Sequence, residues 1–241
     1  FARHTGYRKA SGEILAFLDD DVLVGKNWIN GITETFTDKN VKIAGGPSFP
    51  SYECPPPYWL ESLWRSNGFS RQCYYLSLID QGNEIIEVDP TTIWGLNYSI
   101  RKDTLKELGG FHPDCTPNEI QYLQGDGETG LSLKAMEKKI KTIYHPEISV
   151  KHVIPRNRLK HSYFKKRMYY EGICRSYYDH RNAIRNESSN RNCTTVDMSY
   201  VQKILSTLSN RISAIKKKLS FFEGGHQLEK LEFALAIAQT K

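Results

Sequence analysis

The most constraining feature of this sequence is a short apolar run that ends in charge. Glu13-Ile14-Leu15-Ala16-Phe17-Leu18 gives way at once to Asp19-Asp20-Asp21. A run this short, bounded by Gly12 on one side and acids on the other, is too brief for a buried helix and reads as a strand. Its near-continuous apolar character predicts a buried strand of a parallel sheet. Ala2 to Ala10 reads as a helix ahead of it, stopped by Gly12. Asn27 to Phe36 reads as a helix after it, and Val41 to Ala44 as a second strand closed by Gly45-Gly46-Pro47. Helix, strand, helix, strand in this rhythm predicts an α/β sheet.

Further along, Pro50 to Pro57 reads as a proline-rich loop leading to the aromatics Tyr58, Trp59 and Trp64. Glu84 to Val88 and Asn97 to Ile100 read as strands. Lys102 to Leu108 reads as a helix stopped by Gly109-Gly110, and Leu131 to Lys138 as another. Thr142 to Tyr144 and Ser149 to Val153 read as short strands around Pro146. After Pro155 the texture changes. Ser188 to Thr195 reads as a polar linker. Val201, Ile204, Leu205, Leu208, Ile212, Ile215 and Leu219 then recur at helical spacing up to Gly224-Gly225, and Leu228, Leu231, Leu235 and Ala238 follow. That tail reads as an αα-hairpin.

With 241 residues, 39% of them apolar, the chain can bury one large core and keep solvated helix outside it. No run of about 18 apolar residues is present to cross a membrane, and no signal-peptide pattern opens the chain. The sequence starts at Phe1, inside a helical pattern, so an upstream segment is expected. Five cysteines, an odd number without Cys-x-x-Cys spacing, point to free thiols in a reducing cytoplasm rather than to a zinc site or a disulfide framework. The net charge of +6 is concentrated. From Arg156 to Arg185 nine Lys or Arg face only Glu171 and Asp179, a surplus of +7 that suits an anionic partner.

Three consecutive aspartates at a strand end repel one another unless a cation sits among them. In open α/β sheets, ligands bind outside the carboxyl ends of strands. Carboxylates there suit Mn²⁺ or Mg²⁺, hard ions that share their shell with substrate phosphates. The plainer reading is a solvated acidic turn.

Four segments in order decide between these readings. They are Ala2-Arg3-His4-Thr5-Gly6 with Ala10-Ser11-Gly12-Glu13-Ile14-Leu15 and Phe17-Leu18-Asp19-Asp20-Asp21; Trp94-Gly95-Leu96-Asn97-Tyr98-Ser99-Ile100-Arg101 with Leu108-Gly109-Gly110-Phe111; Gly125-Asp126-Gly127-Glu128-Thr129-Gly130-Leu131; and Tyr144-His145-Pro146 with Val150-Lys151-His152. Together they resemble a family-two glycosyltransferase of GT-A fold, of the bacterial polysaccharide type, over roughly residues 1 to 160.

The resemblance implies donor-binding roles for Arg3, Asp19 and Asp20. It implies cation ligation by Asp21, with Asp19 and His152, and acceptor contacts at Trp94, Gly109 and Gly110. Glu128 stands where the family usually places an aspartate as general base. Asp126 lies two residues earlier, and either carboxylate fits the role; Glu128 keeps the family's distance to Leu131. The strand and loop that hold the base and ribose in this family, some tens of residues before Asp19, are expected to precede this sequence, so the donor base is not readable here.

The expectation is a mostly parallel α/β sheet of GT-A type, N-terminally incomplete. Residues 1–160 would form the catalytic core, 161–187 a basic helical segment and 196–241 a C-terminal αα-hairpin. The expected activity is inverting, metal-dependent transfer from a nucleotide sugar to a glycan or lipid-linked acceptor in surface polysaccharide synthesis. The expected place is the cytoplasm, peripheral at the inner membrane face, with an anionic membrane surface as a candidate partner and no nucleic acid. The alternative is a non-catalytic relative that binds nucleotide sugars or glycans.

Overall fold

The computed structural model of the chain describes residues 2–112 and 127–189. Eleven short strands form two sheets among these residues. The first sheet takes β1 (Ile14–Leu18), β9 (Asn97–Arg101), β3 (Ile43–Gly45), β10 (Thr142–Tyr144) and β8 (Ile86–Glu87), in that spatial order. The second takes β2 (Val22–Val24), β11 (Val150–Ile154), β4 (Ser48–Tyr52), β7 (Leu78–Asp80), β6 (Arg71–Cys73) and β5 (Arg65–Ser66). Both sheets are mixed. β3 and β10 run parallel, as do β4 and β11, while β9 lies antiparallel to both β1 and β3. The mixed α/β class follows the sequence expectation, but the mostly parallel sheet does not: among the described strands two pairings are parallel and seven antiparallel.

β1 departs from the reading of its sequence. Its partner is antiparallel, and it is an edge of the first sheet among the described residues. Leu15 is buried while Ala16 and Leu18 are exposed. An apolar run shows that a strand is apolar; it does not show how many neighbours that strand has.

The first sheet is covered on both faces. Helix α2 (Trp28–Thr35) sets Trp28 and Ile32 on Ile14, Val41, Ala44 and Ile148. The opposite face packs Leu15, Ile43, Tyr98 and Ile100 against Leu105 of α3 (Lys102–Glu107) and against Leu131 and Ala135 of α4 (Thr129–Glu137). Tyr7 of α1 (Ala2–Lys9) closes that side. Helix α3 ends because its terminal carbonyls are taken up by a Schellman turn. Gly109 N–H donates to Lys106 O at 3.1 Å and Gly110 N–H to Leu105 O at 3.0 Å, with both glycines at positive φ, 83° and 77°.

The proline-rich stretch is not all loop, because Pro50 lies inside β4. Glu53 N–H donates to Ile154 O across the β4–β11 ladder, so by alternation the nitrogen of Pro50 faces away from β11. On that other side the pairing with β7 involves only Ser48, so the missing N–H breaks no bond.

Three strands of the first sheet that share a direction hand the chain to the second sheet at the same edge. β1 passes to β2 through the three aspartates, β3 to β4 through Gly46-Pro47, and β10 to β11 through residues 145–149. The seam between the sheets is tied by Asn97. Its amide donates to Ile148 O at 2.7 Å, and its carbonyl oxygen accepts from Trp28 Nε1 at 3.0 Å.

A buried charge holds the far end of β9. Arg101 donates to Val41 O and Phe36 O, each at 2.9 Å, and pairs with Glu13. Arg101→Met would strand those buried carbonyls, and it is expected to destabilise the fold by about 3 kcal/mol. A lower urea midpoint with an unchanged slope checks this.

Helix α5 (His161–Ser189) follows a 3₁₀ turn at Arg156–Leu159 and runs over the basic stretch. Phe164 and Met168, one turn apart, bury against Leu60, Leu76 and Ile154. Trp59 stacks on His161 at 4.3 Å and meets Phe164 edge-on at 5.3 Å, so this aromatic seats the helix. Lys165, Lys166 and Tyr169 face outward. Among the described residues no helix is long and apolar enough to cross a membrane. Asp126 and the 196–241 hairpin lie outside the described residues.

Candidate functional site

The predicted carboxylates meet where β1 leaves the first sheet. Asp19 follows β1 directly, with its N–H donated to Leu96 O at 3.3 Å. Asp20 is exposed at the tip of the turn. Asp21 is held by the antiparallel pairing of β2 with β11, in which His152 sits opposite Val22 and Val153 N–H donates to Asp21 O at 2.8 Å. Strand pairing therefore brings together two residues 131 positions apart, leaving Asp21 Oδ2 at 3.3 Å from His152 Nε2.

His152 is buried, and its ring is oriented from behind. Nδ1 lies 2.8 Å from Leu76 O, and a carbonyl only accepts, so Nδ1 carries the proton. Nε2 then presents its lone pair on the side of Asp21. This is how a metal-binding histidine is set by its outer partner. The spacing also fits a cation, since an octahedral hard ion with bonds of about 2.1 Å holds adjacent ligands roughly 3 Å apart. Among the described residues no three His, Cys, Asp or Glu side chains converge on one point. A cation here would therefore rely on oxygens brought by its ligand, the usual habit of Mg²⁺ with phosphates.

A third group, not singled out in the sequence, shares this place. Arg158 NH1 lies 2.8 Å from Asp21 Oδ2 and 2.9 Å from His152 Nε2. In the sequence it is one of nine bases in the positive stretch, and no spacing marks it as the one that turns inward.

The other half of the site is built on α1, α4 and the loop before β9. Arg3 NH1 donates to Glu128 Oε2 at 3.2 Å, and Arg3 NH2 lies 3.7 Å from Asp19 Oδ1, beside the face of Phe111. Gly95 N–H donates to Glu128 Oε1 at 3.2 Å. Both oxygens of Glu128 accept, which is the pattern of an ionised carboxylate. Gly95 is also a close approach: a Cβ there would lie 2.8 Å from Glu128 Cδ and 2.9 Å from Arg3 NH2. The neighbouring Trp94 is half-buried and meets Tyr74 edge-on at 5.8 Å. Tyr74 in turn donates to Glu171 of α5 at 2.5 Å. Burial first, then the Glu171 carboxylate, hold the Tyr74 phenol well above its ordinary value.

The two halves sense each other through Asp19. Desolvation by the surrounding protein pushes its carboxyl up, although the side chain is partly open to water. Arg3 opposes that shift, the Glu128 and Asp21 carboxylates add to it, and His152 opposes it. Asp19, Asp21, His152, Arg3 and Glu128 thus form one electrostatic cluster. Gly109 and Gly110 sit elsewhere: Gly109 faces Lys134, and a Cβ on Gly110 would lie 2.7 Å from His4 Nε2. The helix stop at the end of α3 accounts for both glycines.

Residues 2–105 match the model of glycosyl transferase family 2, and residues 226–241 match a domain of unknown function. A glucosyl-dolichyl phosphate glucuronosyltransferase of Haloferax volcanii is 22% identical over 184 residues, 74% of this chain and 55% of its own length. The chain therefore spans about half of that relative. Among solved structures, a mannosyltransferase from Pyrobaculum calidifontis in complex with GDP-Man and Mn²⁺ is similar at TM-score 0.45 and 14% identity, over 98% of this chain and 63% of that one. GalNAc-T7 with UDP, GalNAc and Mn²⁺ is similar at TM-score 0.38 and 16% identity, over 64% and 30% respectively.

Proposed function

We propose that this chain, whose residues 2–105 match the model of glycosyl transferase family 2, transfers a sugar from a nucleotide-sugar donor to an acceptor hydroxyl with inversion at the anomeric carbon. The observation that carries the proposal is the cluster itself. A carboxylate and a pre-oriented imidazole lie 3.3 Å apart at one end. A second carboxylate, gripped by Arg3 and Gly95 N–H, lies at the other, with Asp19 between them.

Asp21 and His152, with Asp19 near, would hold Mn²⁺ or Mg²⁺. Such an ion neutralises the negative charge that builds on a departing diphosphate. Asp20 and Arg3 are assigned to the donor side. Glu128 takes the proton of the acceptor hydroxyl as attack proceeds, and one such base in a direct displacement gives inversion. Arg3 and Gly95 fix its geometry. Trp94, backed by Tyr74, offers its ring to an acceptor sugar.

The acceptor we propose is a glycan or a lipid-linked sugar, in surface glycan assembly. The Haloferax volcanii relative is named for action on a glucosyl-dolichyl phosphate, and that lends support to a lipid-linked acceptor. The outward bases of α5, Lys165 and Lys166 beside the exposed Tyr169, give the chain a surface suited to acidic headgroups. Each such charge contributes about 1 kcal/mol near an acidic membrane. Salt-sensitive binding to phosphatidylglycerol vesicles is expected, weakened in Lys165→Glu/Lys166→Glu; binding to neutral vesicles alone would refute it.

The function is tested by incubating the full-length protein with a panel of uridine, guanosine and thymidine diphosphate sugars in Mn²⁺ or Mg²⁺ and measuring nucleoside diphosphate release. Turnover of at least one donor, lost in EDTA, is expected. Donor binding without any release in the presence of acceptor lipids would favour a non-catalytic sugar-binding protein.

A further inference from the structure

We propose that Arg158 is a donor-binding residue with two positions. It holds the place between Asp21 and His152 until a nucleotide sugar arrives with its cation, then turns onto the diphosphate. The inference rests on the transferase reading and adds to it a residue that in the sequence is one of nine bases in the positive stretch.

The geometry is specific. One nitrogen, Arg158 NH1, reaches both groups that would ligate the ion, at 2.8 and 2.9 Å. A guanidinium stays charged under all physiological conditions, so it supplies the positive charge that Asp21 would otherwise take from a cation. The same atom cannot remain there when a metal bonds to Asp21 Oδ2 and His152 Nε2, because all three would crowd a space about 3 Å across. Arg158 must then move, and its surroundings allow it. The 3₁₀ turn is pinned by buried Leu159 and by the Arg158 N–H bond to Pro155 O, while the Arg158 side chain keeps 31% of its exposure. A long arm on a fixed turn can swing without disturbing the fold. A planar guanidinium released beside a metal-bound diphosphate has the partner it binds best, paired phosphate oxygens.

The device makes cation and donor binding cooperative. Mn²⁺ alone must displace a bonded guanidinium that has nowhere better to go, whereas Mn²⁺ with a diphosphate gives it a new partner.

The test uses full-length protein, with Mn²⁺ alone and with UDP and GDP as probes. Free Mn²⁺ is followed by electron paramagnetic resonance and nucleotide affinity by calorimetry. Arg158→Gln is expected to bind Mn²⁺ about 10-fold more tightly without nucleotide and to bind the preferred diphosphate in Mn²⁺ about 10-fold more weakly. Arg158→Lys, which keeps the charge, should fall between. Circular dichroism identifies any variant that fails to fold, and the lysine variant then decides. Mn²⁺ affinity that is unchanged or lower in Arg158→Gln would overturn the proposal, as would unchanged diphosphate affinity. Wild-type protein that binds neither diphosphate would overturn the transferase reading instead, and the Mn²⁺ measurement still decides whether Arg158 competes with the ion.

Discussion

Glu128→Gln is expected to lower turnover by about 10²- to 10⁴-fold, the usual contribution of a positioned base, with donor affinity nearly unchanged. The substitution keeps the shape of the side chain. Its amide oxygen can still accept one of the two bonds from Arg3 and Gly95, but its NH₂ cannot accept the other or take up a proton. Donor affinity should be spared because the site proposed for the donor's charged end is at Asp21 and His152 and does not include Glu128. A loss confined to turnover marks a group that acts in the transition state and not in ground-state binding. Asp126→Asn is the matched control and should change turnover much less. If Asp126 proves essential and Glu128 dispensable, the base is Asp126, and Glu128 is only the counter-ion of Arg3.

The surroundings of Glu128 lend support to its proposed role. It sits at the N-cap of α4 but makes no capping bond with its side chain. An N-cap glutamate serves its own helix poorly, and this one reaches back to residues 33 and 125 positions away. Gly95 completes the argument, since any side chain there would push into the carboxylate. Its role was not legible beforehand because a glycine before a strand has many uses, and only the carboxylate placed against it selects one.

Local chemistry was legible where it is local. The end of β1 at Asp19, the stop of α3 at Gly109 and the strand at Thr142–Tyr144 all follow from short runs with clear punctuation. Pairing was not legible. Nothing in Ile14–Leu18 says that its neighbour is antiparallel β9, and nothing in Ser48–Tyr52 says that Pro50 falls on an open side of its strand. Arg158 is hidden for the same reason. Nine bases in a stretch look alike until strand β11 carries His152 to Asp21 and the following turn carries Arg158 between them. The site was readable as a set of residue types; which atoms touch is a property of sheet register.

Asp21→Ala is expected to abolish transfer, a loss of about 10³-fold or more, since charge stabilisation by a bound cation is worth several kcal/mol in a transition state. Asp21 Oδ2 is the atom on which both His152 and Arg158 converge. Without it, His152 remains as a lone neutral ligand, and Asp19 is drawn toward Arg3 on the other side. Wild-type activity should vanish in EDTA and return with Mn²⁺, whereas Asp21→Ala should stay inactive at any Mn²⁺ concentration that leaves the protein soluble. The backbone bond from Val153 N–H to Asp21 O does not depend on the side chain, so the β2–β11 pairing and the far-ultraviolet spectrum should be retained. Asp21→Asn separates charge from shape. It keeps an oxygen for Arg158 but gives a divalent ion a much weaker ligand, so it should follow the alanine variant in activity while staying closer to wild type in stability. An Asp21→Ala enzyme that turns over normally in EDTA would remove the cation from the mechanism. Arg158, already seated beside His152, would then be the group left to meet the diphosphate charge.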